Sequence, residues 1–105
     1  MITDMGFVRV TFTKDLGPGK MLGVEANGKQ ILLVNLNGKY YAIGNKCTHR
    51  GCMLSEGELQ GEMVLCTRYR SRFAVQTGII MTGPAKRLEP QFEVKVDGEQ
   101  ISVNA

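Results

Sequence analysis

Three short dipeptides constrain the fold of this chain more than anything else in it. Asn27-Gly28, Asn37-Gly38 and Asp97-Gly98 each stand between two short apolar-rich runs. Such pairs readily take the positive φ angles that two-residue hairpin turns require, so each run is expected to double back on the one before it. The runs are Phe7 to Phe12, Met21 to Glu25, Ile31 to Leu36, Tyr40 to Gly44, Met63 to Leu65, Phe73 to Val75, Phe92 to Val96 and Ile101 to Val103. Their lengths suit strands. No window keeps apolar residues at helical spacing for three turns, and the best capping signal, Ser55 before Glu58, leads into Gly57 and Gly61 instead of a periodic helix. The expectation is an all-β chain, a sandwich or small barrel. Its 105 residues are enough for one domain with one core, spanning 1–105.

Charge and cysteine usage narrow the class of function. The net charge of +3 is too small to signal nucleic-acid binding by itself. No apolar run approaches the length of a membrane span or a signal-peptide core, and Asp4 and Arg9 already interrupt the start, so a cytoplasmic protein with no membrane partner is expected. Three cysteines are an odd number, and in that compartment they are expected to stay reduced and serve metal binding or redox chemistry. The stretch from Asn45 to Gln76 holds every Cys, the only His and four of the six Arg, mostly in loop-like sequence. It is expected to form a loop-rich subdomain inserted between strands of the sandwich.

Within that stretch Cys47 and His49 flank one residue, Cys52 follows Gly51 in the same loop, and Cys66 returns from a second loop. Thiolate and imidazole are ligands that iron and zinc accept, and loops let them converge without helical constraint. The run Cys47-Thr48-His49-Arg50-Gly51-Cys52-Met53-Leu54-Ser55-Glu56-Gly57 resembles the first cluster-binding loop of Rieske proteins, a Cys-Thr-His-x-Gly segment leading to a Leu-Ser-x-Gly turn. Asn37 to Ala42 resembles the strand leading into that loop, Phe73 to Gly78 the strand leaving the second loop, and Gly83-Pro84-Ala85 the proline loop over the cluster. The resemblance implies a Rieske-type β-sandwich with a small inserted cluster-binding subdomain, at about residues 45–76 here. It also implies a [2Fe-2S] cluster with two Cys on one iron and two His on the other. Cys47, His49 and Cys66 match three of those four ligands.

The second loop departs from the family pattern. Rieske proteins read Cys-Pro-x-His-Gly where this chain reads Cys66-Thr67-Arg68-Tyr69-Arg70, so Tyr69 stands in place of the second histidine. Arg70 replaces a residue that has no side chain. Tyr69 offers a phenolate as fourth ligand, with Arg68 and Arg70 helping a phenol of free pKa about 10 to deprotonate. Cys52 offers instead a third thiolate, which would suit a single zinc or iron ion. A third alternative keeps the three matched residues on a fold that holds no metal. In Rieske proteins of cytochrome bc complexes the residue like Cys52 forms a disulfide with a second-loop cysteine, and the matching position here is Arg68.

Arg50, Arg68, Arg70 and Arg72 lie on or beside the two loops. They are read either as a solvated tip or as a docking surface for an acidic partner, since a cationic patch around a redox centre steers association. One tyrosine among them is too thin a stacking platform for a nucleic-acid strand, and no nucleic acid is expected. The resemblance implies an electron carrier like the small Rieske-type ferredoxins, which pass electrons from a reductase to an oxygenase. Such a carrier is not itself an enzyme, and its partner is another redox protein. Two alternatives stand beside it: a cluster-free binding subunit similar to the small subunit of some assimilatory nitrite reductases, and a mononuclear zinc or iron protein.

Overall fold

The run Ile31-Leu32-Leu33-Val34 has no polar break, and a strand with such a run must be covered on both faces, since successive side chains point to opposite sides. That is how the chain uses it. The computed structural model describes residues 6–46, 53–66, 71–83 and 88–105. Its strands are β1 (Phe7–Phe12), β2 (Met21–Ala26), β3 (Lys29–Leu36), β4 (Lys39–Gly44), β5 (Glu58–Gln60), β6 (Met63–Leu65), β7 (Arg72–Ala74), β8 (Ile80–Thr82), β9 (Gln91–Phe92), β10 (Val94–Asp97) and β11 (Gln100–Asn104). Among the described residues the helical content is two single 3-10 turns, Thr13–Asp15 and Leu54–Glu56.

The strands form three antiparallel sheets, ordered β1-β11-β10, β2-β3-β4-β9 and β5-β6-β7-β8. The middle one is the β3 sheet. Ile31 and Leu33 point to one face and pack with Leu16, Ala42, Ile101 and Val103, which joins this sheet to β11. Leu32 and Val34 point the other way and pack with Ile43, Leu54, Val64, Cys66, Phe73 and Val75, which joins it to the β5–β8 sheet. Burying each of these large side chains contributes roughly 1.5–3 kcal/mol before the entropy of ordering is counted. The expected sandwich therefore has a third, smaller layer, and Cys66 lies in the core beneath it.

Local chemistry sets the hairpins. Asn27 and Gly28 (φ 54° and 78°) and Asn37 and Gly38 (φ 54° and 92°) make the two-residue turns of β2-β3 and β3-β4. The second is reinforced by buried Asn35, whose side chain accepts from Gly38 N–H at 2.8 Å and donates to the Leu16 carbonyl at 2.8 Å. The third turn falls one residue later than the dipeptide suggests. Asp97 pairs with Gln100 as a strand residue, so the loop is Gly98-Glu99, with only Gly98 at positive φ. That is the Gly-first form of a hairpin turn.

Candidate metal centre

The first ligand loop, residues 47–52, is closed at its root by backbone and side-chain bonds. Lys46 and Met53 form an isolated antiparallel bridge. One residue outside it, buried Asn45 accepts from the Leu54 N–H at 2.6 Å through its carbonyl and from the Ser55 N–H at 2.7 Å through Oδ1. Asn45 Nδ2 also donates to Ser55 Oγ at 3.1 Å. This clamp needs space above β2, which Gly23 provides: a Cβ there would lie 2.8 Å from Asn45 Nδ2 and 2.9 Å from Ser55 Oγ. The segment then turns at Gly57, where a Cβ would overlap the Leu65 carbonyl oxygen. The Leu-Ser-x-Gly turn thus seats the root of the first loop against Leu65, the strand residue that precedes Cys66.

The second loop connects β6 to β7 and is closed by Cys66 N–H donating to the Ser71 carbonyl at 2.8 Å. Both root residues are buried. Of the candidate ligands only Cys66 lies within the described residues; Cys47, His49, Cys52 and Tyr69 fall outside them, as do Arg50, Arg68 and Arg70 of the arginine group. The convergence expected of the ligands therefore rests on the two closed roots and on one further observation. Cys66 is disulfide-bonded. The physical reason is proximity: a fold that brings a second cysteine sulfur beside Cys66 permits an S–S bond, and two thiolates on one iron require the same approach.

Arg72, the described member of the arginine group, is half-buried on β7 and not free at a tip. Its Nε donates to Gln60 Oε1 at 2.9 Å and its Nη1 to Thr82 Oγ1 at 3.2 Å, while Gln60 Nε2 donates to Glu58 Oε1 at 2.9 Å. Gln60 belongs to β5, two strands away, so the guanidinium stem crosses β6 on the face that carries Leu65. The proline segment begins at Gly83, with Pro84 and Ala85 outside the described residues. Its return is fixed at Glu89, buried, whose N–H donates to the Gly78 carbonyl at 2.8 Å. Gly78 has φ 81°, and a Cβ on it would overlap the Glu89 carbonyl oxygen. The sequence does not single out Asn45 or Glu89, because a polar residue in a turn-rich stretch carries no signal of burial. A surface groove of about 660 Å³, lined by Leu36, Lys39, Tyr41, Leu59 and Gln76 among others, lies at the β5-β6 turn, the opposite end of β6 from Cys66.

Two loops, one carrying Cys-x-His and closed by the Lys46–Met53 bridge beyond β4, the other joining β6 to β7 from Cys66, are matched by a family model. The Rieske [2Fe-2S] domain model covers residues 6–103. The chain belongs to the Rieske family. It is 34% identical to the ferredoxin component of biphenyl 2,3-dioxygenase from Rhodococcus jostii strain RHA1, over 95% of this chain and 94% of that one. Among solved structures, the ferredoxin of carbazole 1,9a-dioxygenase from Nocardioides aromaticivorans IC177 superposes with a TM-score of 0.88 at 30% identity, covering 92% of this chain and 95% of that one. A ferredoxin solved in complex with the oxygenase of carbazole 1,9a-dioxygenase also gives 0.88, at 28% identity over 94% and 93% of the two chains. The Rieske assignment implies a [2Fe-2S] cluster, and no described helix is long and apolar enough to cross a membrane.

Proposed function

We propose that this Rieske protein is a one-electron carrier that serves a separate oxidoreductase and catalyses no reaction itself. The observation that carries the reading is its near full-length similarity to ferredoxin components of dioxygenase systems. Cys47 and Cys66 would hold one iron, His49 the other, and Tyr69 occupies the position of the fourth ligand, with Cys52 as the alternative. Bound there, a [2Fe-2S] cluster supplies one-electron redox chemistry whose potential follows its ligands, hydrogen bonds and burial. The donor chemistry fits once the Cys66 disulfide is reduced to its two thiols: Cys66 is buried and its backbone is held by the Ser71 bond. The Asn45–Ser55 clamp and the close approach of Gly57 to Leu65 fix the root of the first loop beside the strand that ends before Cys66. Residues 45–76 are the ligand-bearing subdomain of a single domain 1–105, acting in the cytoplasm with a reductase or oxygenase as partner, and with Arg50, Arg68, Arg70 and Arg72 in the docking surface.

Tyr69 and Arg70 favour a second reading, in which the site holds one iron or zinc ion or serves as a metal-free binding module. Restoring the family's loop separates the two. Tyr69→His with Arg70→Gly and Thr67→Pro is expected to bind iron and sulfide and to show a reversible one-electron couple, with the unaltered protein showing a couple at a different potential. An unaltered protein without any one-electron couple, beside a restored variant that has one, would overturn the carrier reading in favour of the second.

A further inference from the structure

Two of the turn dipeptides that set the fold are also chemically labile, Asn27-Gly28 and Asn37-Gly38. In such a pair the glycine nitrogen can attack the asparagine side-chain amide: a new N–Cγ bond forms, the Cγ–Nδ2 bond breaks and ammonia leaves. Water then opens the resulting succinimide to aspartate or isoaspartate. Asparagine is thermolabile for this reason, and a following glycine, which has no side chain, obstructs the attack least.

Hydrogen bonding separates the two pairs, because little else does. Asn27 and Asn37 both have φ 54° and both are exposed, in two-residue turns of antiparallel hairpins. A Cβ on Gly28 or Gly38 would meet nothing within 4 Å, so neither turn is crowded. The attacking nitrogens are not alike. Gly38 N–H donates to Oδ1 of buried Asn35 at 2.8 Å, whereas among the described residues nothing accepts from Gly28 N–H. For Gly38 to react, a buried acceptor must lose its partner, which slows the step by about tenfold. The restraint on Asn27 is the donation from its Nδ2 to the Ala105 carbonyl at 3.0 Å, an exposed bond that water replaces at little cost.

The place of the Asn27 turn gives its conversion a consequence. Ile31 pairs with Gly44, and Asn45 N–H donates to the Gln30 carbonyl at 3.0 Å, so this turn lies at the end of the middle sheet where the first ligand loop is rooted. The Asn37 turn lies at the other end. Conversion of Asn27 places a carboxylate at the loop-bearing end and removes the amide that donates to Ala105.

We infer that Asn27 is a site of spontaneous deamidation and that Asn35 protects Asn37 from the same reaction. The unaltered protein is incubated in mildly alkaline buffer, native and in urea, then digested with trypsin, which separates the two pairs into residues 21–29 and 30–39. Mass spectrometry follows the conversion, and fragmentation places it. In urea the two rates are expected to agree within about twofold, and in the native protein Asn27 is expected to convert about tenfold faster than Asn37. Asn35→Ala and Asn35→Asp both lose the donation to the Leu16 carbonyl, but aspartate keeps an acceptor for Gly38 N–H. Faster conversion of Asn37 is therefore expected in Asn35→Ala and not in Asn35→Asp. Thermal melting checks that both variants fold, and the native and urea rates of the unaltered protein decide the matter if either does not. Equal native rates, a faster Asn37, or no native conversion of Asn27 beside conversion in urea overturns the inference. Equal acceleration of Asn37 in the two folded variants overturns the protection by Asn35.

Discussion

Replacing Gly57 with alanine tests how tightly the roots of the two ligand loops are seated against each other. A Cβ at this position falls well inside 3.0 Å of the Leu65 carbonyl oxygen, an approach real Cβ atoms essentially never show. It also lies 3.1 Å from the Leu54 carbonyl oxygen, which accepts the Gly57 N–H bond at 2.9 Å. Both obstacles are backbone, so no flexible side chain gives way. Either the 3-10 turn Leu54–Glu56 lifts, straining the Asn45–Ser55 clamp, or β6 shifts immediately before Cys66. Overpacking that forces backbone movement costs about 1–3 kcal/mol, and this site belongs at the upper end. For a domain of this size a loss of about 2–3 kcal/mol lowers the midpoint of thermal unfolding by roughly 10–20 °C. Circular dichroism melting of Gly57→Ala beside the unaltered protein measures it. A midpoint within about 2 °C would refute the close seating of the loop roots.

Phe73→Ala removes a fully buried ring from the core shared by the middle and small sheets, and is expected to cost about 3–5 kcal/mol in denaturant unfolding. Arg72→Ala removes hydrogen bonds to two neutral partners at a half-buried position, so a loss of about 1 kcal/mol is expected by the same assay. In metal-free, air-exposed protein unfolded without reductant, thiol titration is expected to find one free thiol of the three, since Cys66 is disulfide-bonded, and all three after reduction.

The sequence was most legible where local chemistry decides the outcome. Phe7–Phe12 and Met63–Leu65 have the bounds that their apolar runs suggest, because polar or glycine-containing sequence flanks each run. Pairing was not legible. The single run Phe92 to Val96 divides at Glu93: Phe92 pairs with Ala42 in the middle sheet, while Val94 pairs with Val103 in the three-stranded one. Periodicity reports which residues face inward, not which strand lies alongside. Strands β5 and β8 were not among the expected runs; Glu58-Leu59-Gln60 has a single apolar residue, and so no apolar run to mark it. Cys66 was picked out by its resemblance to a ligand position. The Asn45 clamp and buried Glu89 became visible only once the chain had closed around them, since hydrogen bonds between distant residues leave no local pattern.

Whether these loops hold a redox-active metal centre is decided by spectroscopy on freshly purified, anaerobically handled protein. Iron and acid-labile sulfide are to be measured on the same sample whose electron paramagnetic resonance spectrum is recorded before and after dithionite reduction. About two irons and two sulfides per chain are expected, with a signal that appears on reduction and disappears on reoxidation. A folded, colourless protein with no iron and no signal on reduction would contradict that expectation.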